Sequence, residues 1–583
     1  MPTSAKEVKA WGWDSIDIIL FSGDAYVDHP AFGTAMIARV LEAEGFKVAV
    51  VPQPNWRDDL RDFKKLGKPN LFFAVTAGVM DSMVNHYTAG KRLRSNDAYT
   101  PEGKAGFRPD RATTVYSNIL KELFPDVPVV IGGIEASQRR LTHYDYWDDT
   151  LHPSILVDTK ADFLTYGMAE RAMVALAKGM QEGKKLEELQ QIPQIAYLSN
   201  DVNAPVDIEL ASHQACLASK KVQAQNFKIF EEESNRYQSD NRLGQVVGNQ
   251  KVIINPPYPI ISTPELDALY SLPYTRQPHP RYKGKTIPAY DMIKFSVTMH
   301  RGCFGGCSFC TISAHQGKFI ASRSEASILK EVELIAQDAQ FKGYISDLGG
   351  PSANMYQLRG KNIELCQKCK KPACLHPSIC KNLDTNHAPL INLYRKVRAL
   401  PGIKKATIGS GIRYDLATPD YLKEVIEHHV SGRLKVAPEH TNSEVLNLMR
   451  KPSFDQFIAF EQLFRQLNQA AGLNQQLIPY FISSHPGCTA THMADLAITT
   501  KKMRFQLEQV QDFTPTPMTL STEMYYTGYH PYTLQKITTA KTLQQKNEQR
   551  NFFFWYKPEN KAAIVRYLKQ IGRPDLITKI YPR

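Results

Sequence analysis

The chain has 583 residues, 43% of them hydrophobic and 22% charged, a balance that excludes disordered, collagen-like and disulfide-scaffold classes. No stretch approaches the roughly 18–20 apolar residues needed to span a bilayer, and the first twenty residues lack the order of a secretory signal, so a soluble cytoplasmic protein with no membrane partner is expected. The net charge of +13, from 71 basic and 58 acidic residues, favours an anionic partner such as nucleic acid only weakly, because the basic residues are scattered as short pairs (Lys64 with Lys65, Lys501 with Lys502) and form no tail.

At this length the chain divides into about two to four domains. Buried strands are predicted over 17–23, 47–53, 71–76, 127–133 and 161–167. Helices are predicted over 34–45, stopped by Gly45, and over 112–124 and 168–182. This alternation predicts a parallel sheet covered on both faces, a Rossmann-like domain over 1–190. Residues 191–290 read differently. Residues 218–245 are polar and helical in pattern, and 255–263 and 272–282 are rich in proline and aromatics, which predicts a connecting region laid over a surface.

Strand and helix alternate again from 291. A strand over 293–300 leads into a cysteine cluster. Ser322 and Glu325 suggest a capping box that opens a helix through Ile328, Leu329, Val332 and Ile335. Further strands are predicted over 343–347, 405–409, 433–437, 477–482 and 509–513. Five or six such units predict an open, partial (β/α) barrel of the TIM type over 291–520. Residues 521–583 read as a helical, basic, aromatic tail. The fold class is therefore α/β: a Rossmann-like domain, a partial barrel and a helical C-terminal tail.

Nine cysteines are present, and seven of them lie between residues 303 and 380. In a reducing compartment such clustering points to metal or redox chemistry rather than disulfides. Cys303, Cys307 and Cys310 have the spacing C-x3-C-x2-C on a loop directly after a strand. Three thiolates so spaced can hold three corners of a 4Fe–4S cube. The fourth iron is left for a bidentate ligand such as the methionine end of S-adenosylmethionine (SAM). Gly302, Gly305 and Gly306 let the loop bend tightly, and Phe309 can cover one side. A structural zinc site usually wants four ligands and paired spacing, which fits poorly here.

The motif resembles that of the radical SAM superfamily, including the aromatic residue before its third cysteine. More narrowly, the stretches 287–297, 301–310, 346–356, 384–395, 435–440 and 479–487 resemble the YgiQ family of radical SAM proteins. The resemblance implies roles for other positions. Gly349 and Gly350 would meet the SAM amino group, although Pro351 stands where superfamily members often carry an acid. Arg413 and Asp415, after a later strand, and Glu439, with His440 at the end of the next, would line the SAM site at the barrel mouth. A plainer reading of each is a turn glycine or a strand-end ion pair. An electron donor of the flavodoxin or ferredoxin type is also implied, for a substrate the sequence does not name.

Cys366, Cys369, Cys374 and Cys380, with His376 among them, form a second group in an insertion over 360–385. A second iron–sulfur cluster, a structural zinc and reduced free thiols all fit that spacing. In the first half, the order of strands resembles the cobalamin-binding-like domain that precedes many radical SAM cores. Asp28, His29 and Gly33 miss the D-x-H-x-x-G spacing of a His-ligated cobalamin site, so a domain that binds no cobalamin is expected. Arg92, Arg94, Arg108 and Arg111, with Tyr99 and Phe107, form a loop region that could meet phosphate or nucleic acid, or simply be solvated. The sequence thus favours a SAM-cleaving enzyme over a zinc-stapled RNA-binding protein without catalysis. An electron carrier fits least, because a carrier needs four protein ligands and no barrel.

Overall fold

The computed structural model describes residues 1–582. Five strands of the first half, β1 (Ile18–Ser22), β2 (Val48–Pro52), β3 (Phe72–Thr76), β4 (Val129–Gly132) and β5 (Phe163–Thr165), pair in parallel in the order β2-β1-β3-β4-β5. Every residue of β1 and β2 is buried, as expected of strands covered on both faces. The helix Gly33–Ala43 turns Ala35, Ala38 and Leu41 inward. It stops at Gly45, whose φ of +92° suits the residue after a helix cap.

Residues 191–290 are more than a connector. Four strands, β6 (Ile195–Ser199), β7 (Ile208–Leu210), β8 (Leu243–Val247) and β9 (Gln250–Ile254), extend the same sheet in the order β5-β6-β9-β8-β7. The pairings β5–β6, β6–β9 and β9–β8 are antiparallel. Gly248 and Asn249 join β8 to β9, and Gly248 has a φ of +61°, so a two-residue Gly-Asn hairpin signal was present in the sequence. The predicted polar helix is shorter, Lys220–Ser234, because the chain re-enters the sheet at Leu243.

The second half forms the partial barrel. Strands β10 (Ser296–Thr298), β11 (Tyr344–Ile345), β12 (Asp347–Gly349), β13 (Lys405–Ala406), β14 (Arg433–Glu439), β15 (Gln476–Ser483) and β16 (Gln509–Asp512) follow in chain order. All their pairs are parallel: β10–β12, β11–β13, β14–β15 and β15–β16. The helix after the cysteine loop, Glu325–Ala336, is capped by Ser324 rather than Ser322. The Ser324 hydroxyl accepts the Ser327 N–H at 3.1 Å. The tail closes the barrel: Phe552 and Phe553 are fully buried in its core, and Phe553 lies against Phe481 of β15.

Ion pairs hold the two halves together. Arg301 meets Glu170 at 2.8 Å, Arg276 meets Glu331 at 2.5 Å, and Arg450 grips Glu231 with two bonds of 2.7 and 2.9 Å. The helix Leu520–Thr527 packs on Lys220–Ser234 and places Glu523 in that contact, where Gln223 donates to it at 3.1 Å. Burial pushes the Glu523 carboxyl up to about 8, against about 4.3 in an unfolded chain. A carboxyl with a raised folded pKa costs stability progressively as pH rises between those two values. Glu523→Gln is therefore expected to melt near the parent temperature at pH 4.5 and above it at pH 8. An equal gap at both values would show that Glu523 is ionised in the fold.

Candidate active site at the barrel mouth

The cysteine loop leaves β10 and turns back on itself through glycines that no other residue could replace. Gly302 has a φ of +86°, and a Cβ there would stand 2.1 Å from the Phe319 carbonyl oxygen. A Cβ on Gly306, at φ +62°, would meet Ala373 at 2.6 Å. The loop is pinned by the Cys303 N–H on the Gly317 carbonyl, the Cys310 N–H on the Cys307 carbonyl and the Ser308 N–H on the Met449 carbonyl. Burial, with Cys307 adding to it, pushes the thiol of Cys303 up to about 11 and that of Cys310 up to about 12. These thiols stay protonated until a metal ligates them, so loading the site releases protons.

Beside the thiols lies a buried charged wall. The Arg413 guanidinium donates to the Cys307 sulfur at 3.3 Å and grips Asp415 with two bonds of 2.8 and 2.7 Å. Burial works against the charge of Arg413. Asp415 more than offsets that and holds it well above its ordinary value. Glu439 ends β14 after a bulge, where the pairing register with β15 shifts, and its φ is +68°. Bulges and left-handed non-glycine residues often aim side chains at functional sites. Burial raises the Glu439 carboxyl, with Lys451 and then Arg413 opposing. Sequence reasoning did not single out Lys451, which is buried and 3.9 Å from Glu439. No motif marks it; the turn after the helix Ser443–Leu448 brings it in.

Gly349 and Gly350 end the neighbouring strand β12. A Cβ on Gly349 would stand 2.1 Å from the Ser410 hydroxyl, and one on Gly350 would stand 2.6 Å from His300 Nε2. Asp347 ties this strand to the next loop, its carboxylate accepting the Gly409 and Ser410 N–H groups at 2.8 and 3.1 Å. The Gly349 carbonyl is taken by the Met299 N–H. Among the described residues no donor occupies the Gly350 carbonyl, which leaves it free for an ammonium group. His440 faces away from this wall, its Nε2 lying 3.6 Å from the Cys488 sulfur.

A family model described as Radical SAM N-terminal matches residues 1–296, and one described as Radical SAM superfamily matches 297–473. A domain of unknown function, DUF3362, matches 508–580. A UPF0313 protein of Bacteroides thetaiotaomicron is 60% identical, over 100% of this chain and 98% of that protein. The UPF0313 protein YgiQ of Escherichia coli is 44% identical, over 99% and 86%. The chain belongs to the YgiQ family of radical SAM enzymes. Among solved structures it is similar to the radical SAM methyltransferase TsrM of Kitasatospora setae, solved with cobalamin and a [4Fe-4S] cluster bound. The identity there is 15% and the TM-score 0.49, over 87% of this chain and 74% of that one.

In this radical SAM chain the second cysteine group lies directly on the first. The Cys374 N–H donates to the Phe304 carbonyl at 2.9 Å, and Leu375 packs with Phe304. The insertion is closed at its neck by a bridge between Gly360 and Leu383. It contains one five-residue helix, Ile363–Gln367, none of whose residues is buried. A segment this small has too little core to hold itself and needs a staple. Lys318, buried and without a carboxylate partner among the described residues, donates to the Lys371 carbonyl at 2.6 Å. Burial pushes the Cys374 thiol up to about 11, and Lys318 opposes that rise. Among the described residues, the one group of three ligand atoms lying within 4.8 Å of one another is Asp145, Asp148 and His152, whose two carboxylates Arg111 already bridges.

The N-terminal candidates are largely internal. Asp28 pairs with Arg39 and accepts the Thr275 N–H. Both His29 ring nitrogens face donors, Nδ1 the Ala31 N–H at 3.1 Å and Nε2 the Arg276 guanidinium at 2.8 Å, and the neutral ring accepts from one of them at a time. His29 thus braces the segment around Arg276. In the basic loop, Arg108 is fully buried between Asp24 and Asp97 at 2.8 and 2.9 Å, so it is a core residue and does not face a polyanion. A cavity of about 480 Å³ opens between the C-terminal edge of the sheet, at Gly78, Gly133 and Gly167, and the barrel glycines Gly349 and Gly350.

Proposed function

We propose that Cys303, Cys307 and Cys310 hold a 4Fe–4S cluster, that SAM lies along Gly349 and Gly350 against Arg413, Asp415 and Glu439, and that reductive cleavage of SAM begins radical chemistry on a substrate. The observation that carries this reading is the convergence of four separate chain segments on one buried wall, joined by the bond from Arg413 to the Cys307 sulfur. When bound at Cys303, Cys307 and Cys310, the cluster would supply the single electron for reductive cleavage of SAM. The residues of the chain do the rest. Arg413 offsets the negative charge of the thiolates, and Asp415 fixes its fork. Glu439 and the free Gly350 carbonyl offer acceptors to the SAM amino and hydroxyl groups. The cavity between sheet and barrel admits the substrate and excludes water. We read that cavity as the substrate chamber. The electron comes from a flavodoxin- or ferredoxin-type donor.

Low-temperature electron paramagnetic resonance of the reduced, anaerobic protein tests this reading. A 4Fe–4S signal that changes on adding SAM is expected. A cluster signal indifferent to SAM would remove the radical chemistry.

We further propose a second iron–sulfur cluster on Cys366, Cys369, Cys374 and Cys380. Anaerobic protein should carry about eight irons per chain, falling to about four in the Cys369→Ala/Cys374→Ala variant. Four irons and one zinc in the parent would assign the insertion to zinc.

A further inference from the structure

Behind the cysteine loop lies a second cavity, of about 190 Å³, between the edge of the N-terminal sheet, the helix Lys220–Ser234 and residues 313–319. Five cationic side chains reach it, and three of them are spent. Arg171 pairs with Glu265, Arg236 with Glu233 and Arg301 with Glu170. Lys318 is turned to the carbonyls of Asn235 and Lys371. Arg140 is left.

Arg140 is 4% exposed, and among the described residues no carboxylate pairs with it. Its guanidinium lies between the rings of Tyr166 and Phe230, each centroid 4.7 Å away. One nitrogen donates to the Ser137 carbonyl and touches the Met518 sulfur, and Nε has no partner. Burial lowers it to about 10, so it is still charged at neutral pH. A buried charge with no counter-charge is among the costliest arrangements in a fold. Two aromatic walls ease that cost without neutralising it. Beside it, His315 is half-buried, and its Nδ1 is shielded from solvent and unpartnered. Burial, and after it Arg140, takes that imidazole down to about 4, so it is neutral and free to bond a ligand. The cavity shares Gly167, Met168, Glu170, Arg301, His315 and Gln316 with the larger one that reaches Gly349 and Gly350.

We propose that Arg140 is the receptor for an oxyanion, a carboxylate or phosphate group of the substrate, whose remainder extends through the shared cavity toward the SAM glycines. This rests on the radical SAM reading for the word substrate; the anion site itself does not. A guanidinium fork suits either oxyanion through paired hydrogen bonds. His315 adds a neutral bond, and the flanking rings fix the fork in place.

The test is calorimetric titration of the anaerobic, metal-loaded full chain at constant ionic strength, with inorganic phosphate and with acetate in separate runs. Saturable binding of at least one is expected, and whichever binds names the anion class. Arg140→Gln should weaken it about tenfold or more, and Arg140→Lys by less. Arg465→Gln, at an exposed side chain, should not change it. No saturation with either anion in the parent overturns the proposal, as does unchanged affinity in Arg140→Gln. If that variant does not fold, Arg140→Lys decides by the same comparison. SAM cleavage by the parent without added anion is measured alongside. Cleavage with no anion binding overturns the receptor alone, whereas binding without cleavage upholds it and overturns the radical reading.

Discussion

Cys307→Ala is expected to lose the iron–sulfur absorbance of the first cluster and to form no deoxyadenosine from SAM under reducing conditions, while its circular dichroism matches the parent. The reason is geometric. In the proposed site three thiols on a loop of eight residues would hold three corners of a cube, and two could not keep the fourth corner open and aimed. Cys307 is also the thiol bonded by Arg413, so its loss leaves one guanidinium nitrogen without its sulfur partner while Asp415 keeps the other two. The loop itself should survive, because its turn is set by Gly302, Gly306 and backbone bonds rather than by the Cys307 side chain. Undiminished SAM cleavage by this variant would sink the cluster assignment.

Arg413→Gln should be the most destabilising single change in the charged wall. Asp415 is almost fully buried, and Arg413 is the first group that counters its burial and holds its carboxyl below the usual range. Removing one partner of such a pair costs about 3–5 kcal/mol at neutral pH. The sign follows from linkage. In the parent, a lowered folded pKa gives stability that is present above the unfolded pKa of about 3.9 and lost as pH falls through the folded value. In the variant the lone buried carboxyl has a raised pKa, and ionising it costs stability as pH rises. The gap in melting temperature between parent and variant should therefore widen from pH 4 to pH 7. Adding Asp415→Asn should recover most of it, since neither charge is then left alone. A gap that does not move with pH would show that the pair is not electrostatically coupled in the fold.

The sequence by itself determined the parallel strands of both halves, the radical SAM family and the tight turn of the first cysteine loop. Strands such as Ile18–Ser22 and Val48–Pro52 are buried on both faces, and that leaves a continuous apolar run no other local structure explains. Three cysteines and three glycines within nine residues leave little of the loop's course for the rest of the chain to decide, because the loop's spacing is its geometry. Tertiary structure alone decided that residues 195–254 complete the N-terminal sheet. Antiparallel pairing joins segments far apart in the chain, and a Gly-Asn turn fixes only its own hairpin. It alone decided that Arg108 belongs to the core, that His29 serves Arg276, and that Lys451 stands beside Glu439. It also left Arg140 without a counter-charge. Whether a charge is paired depends on which groups folding brings within a few ångströms of it, and that proximity is not written in any local spacing.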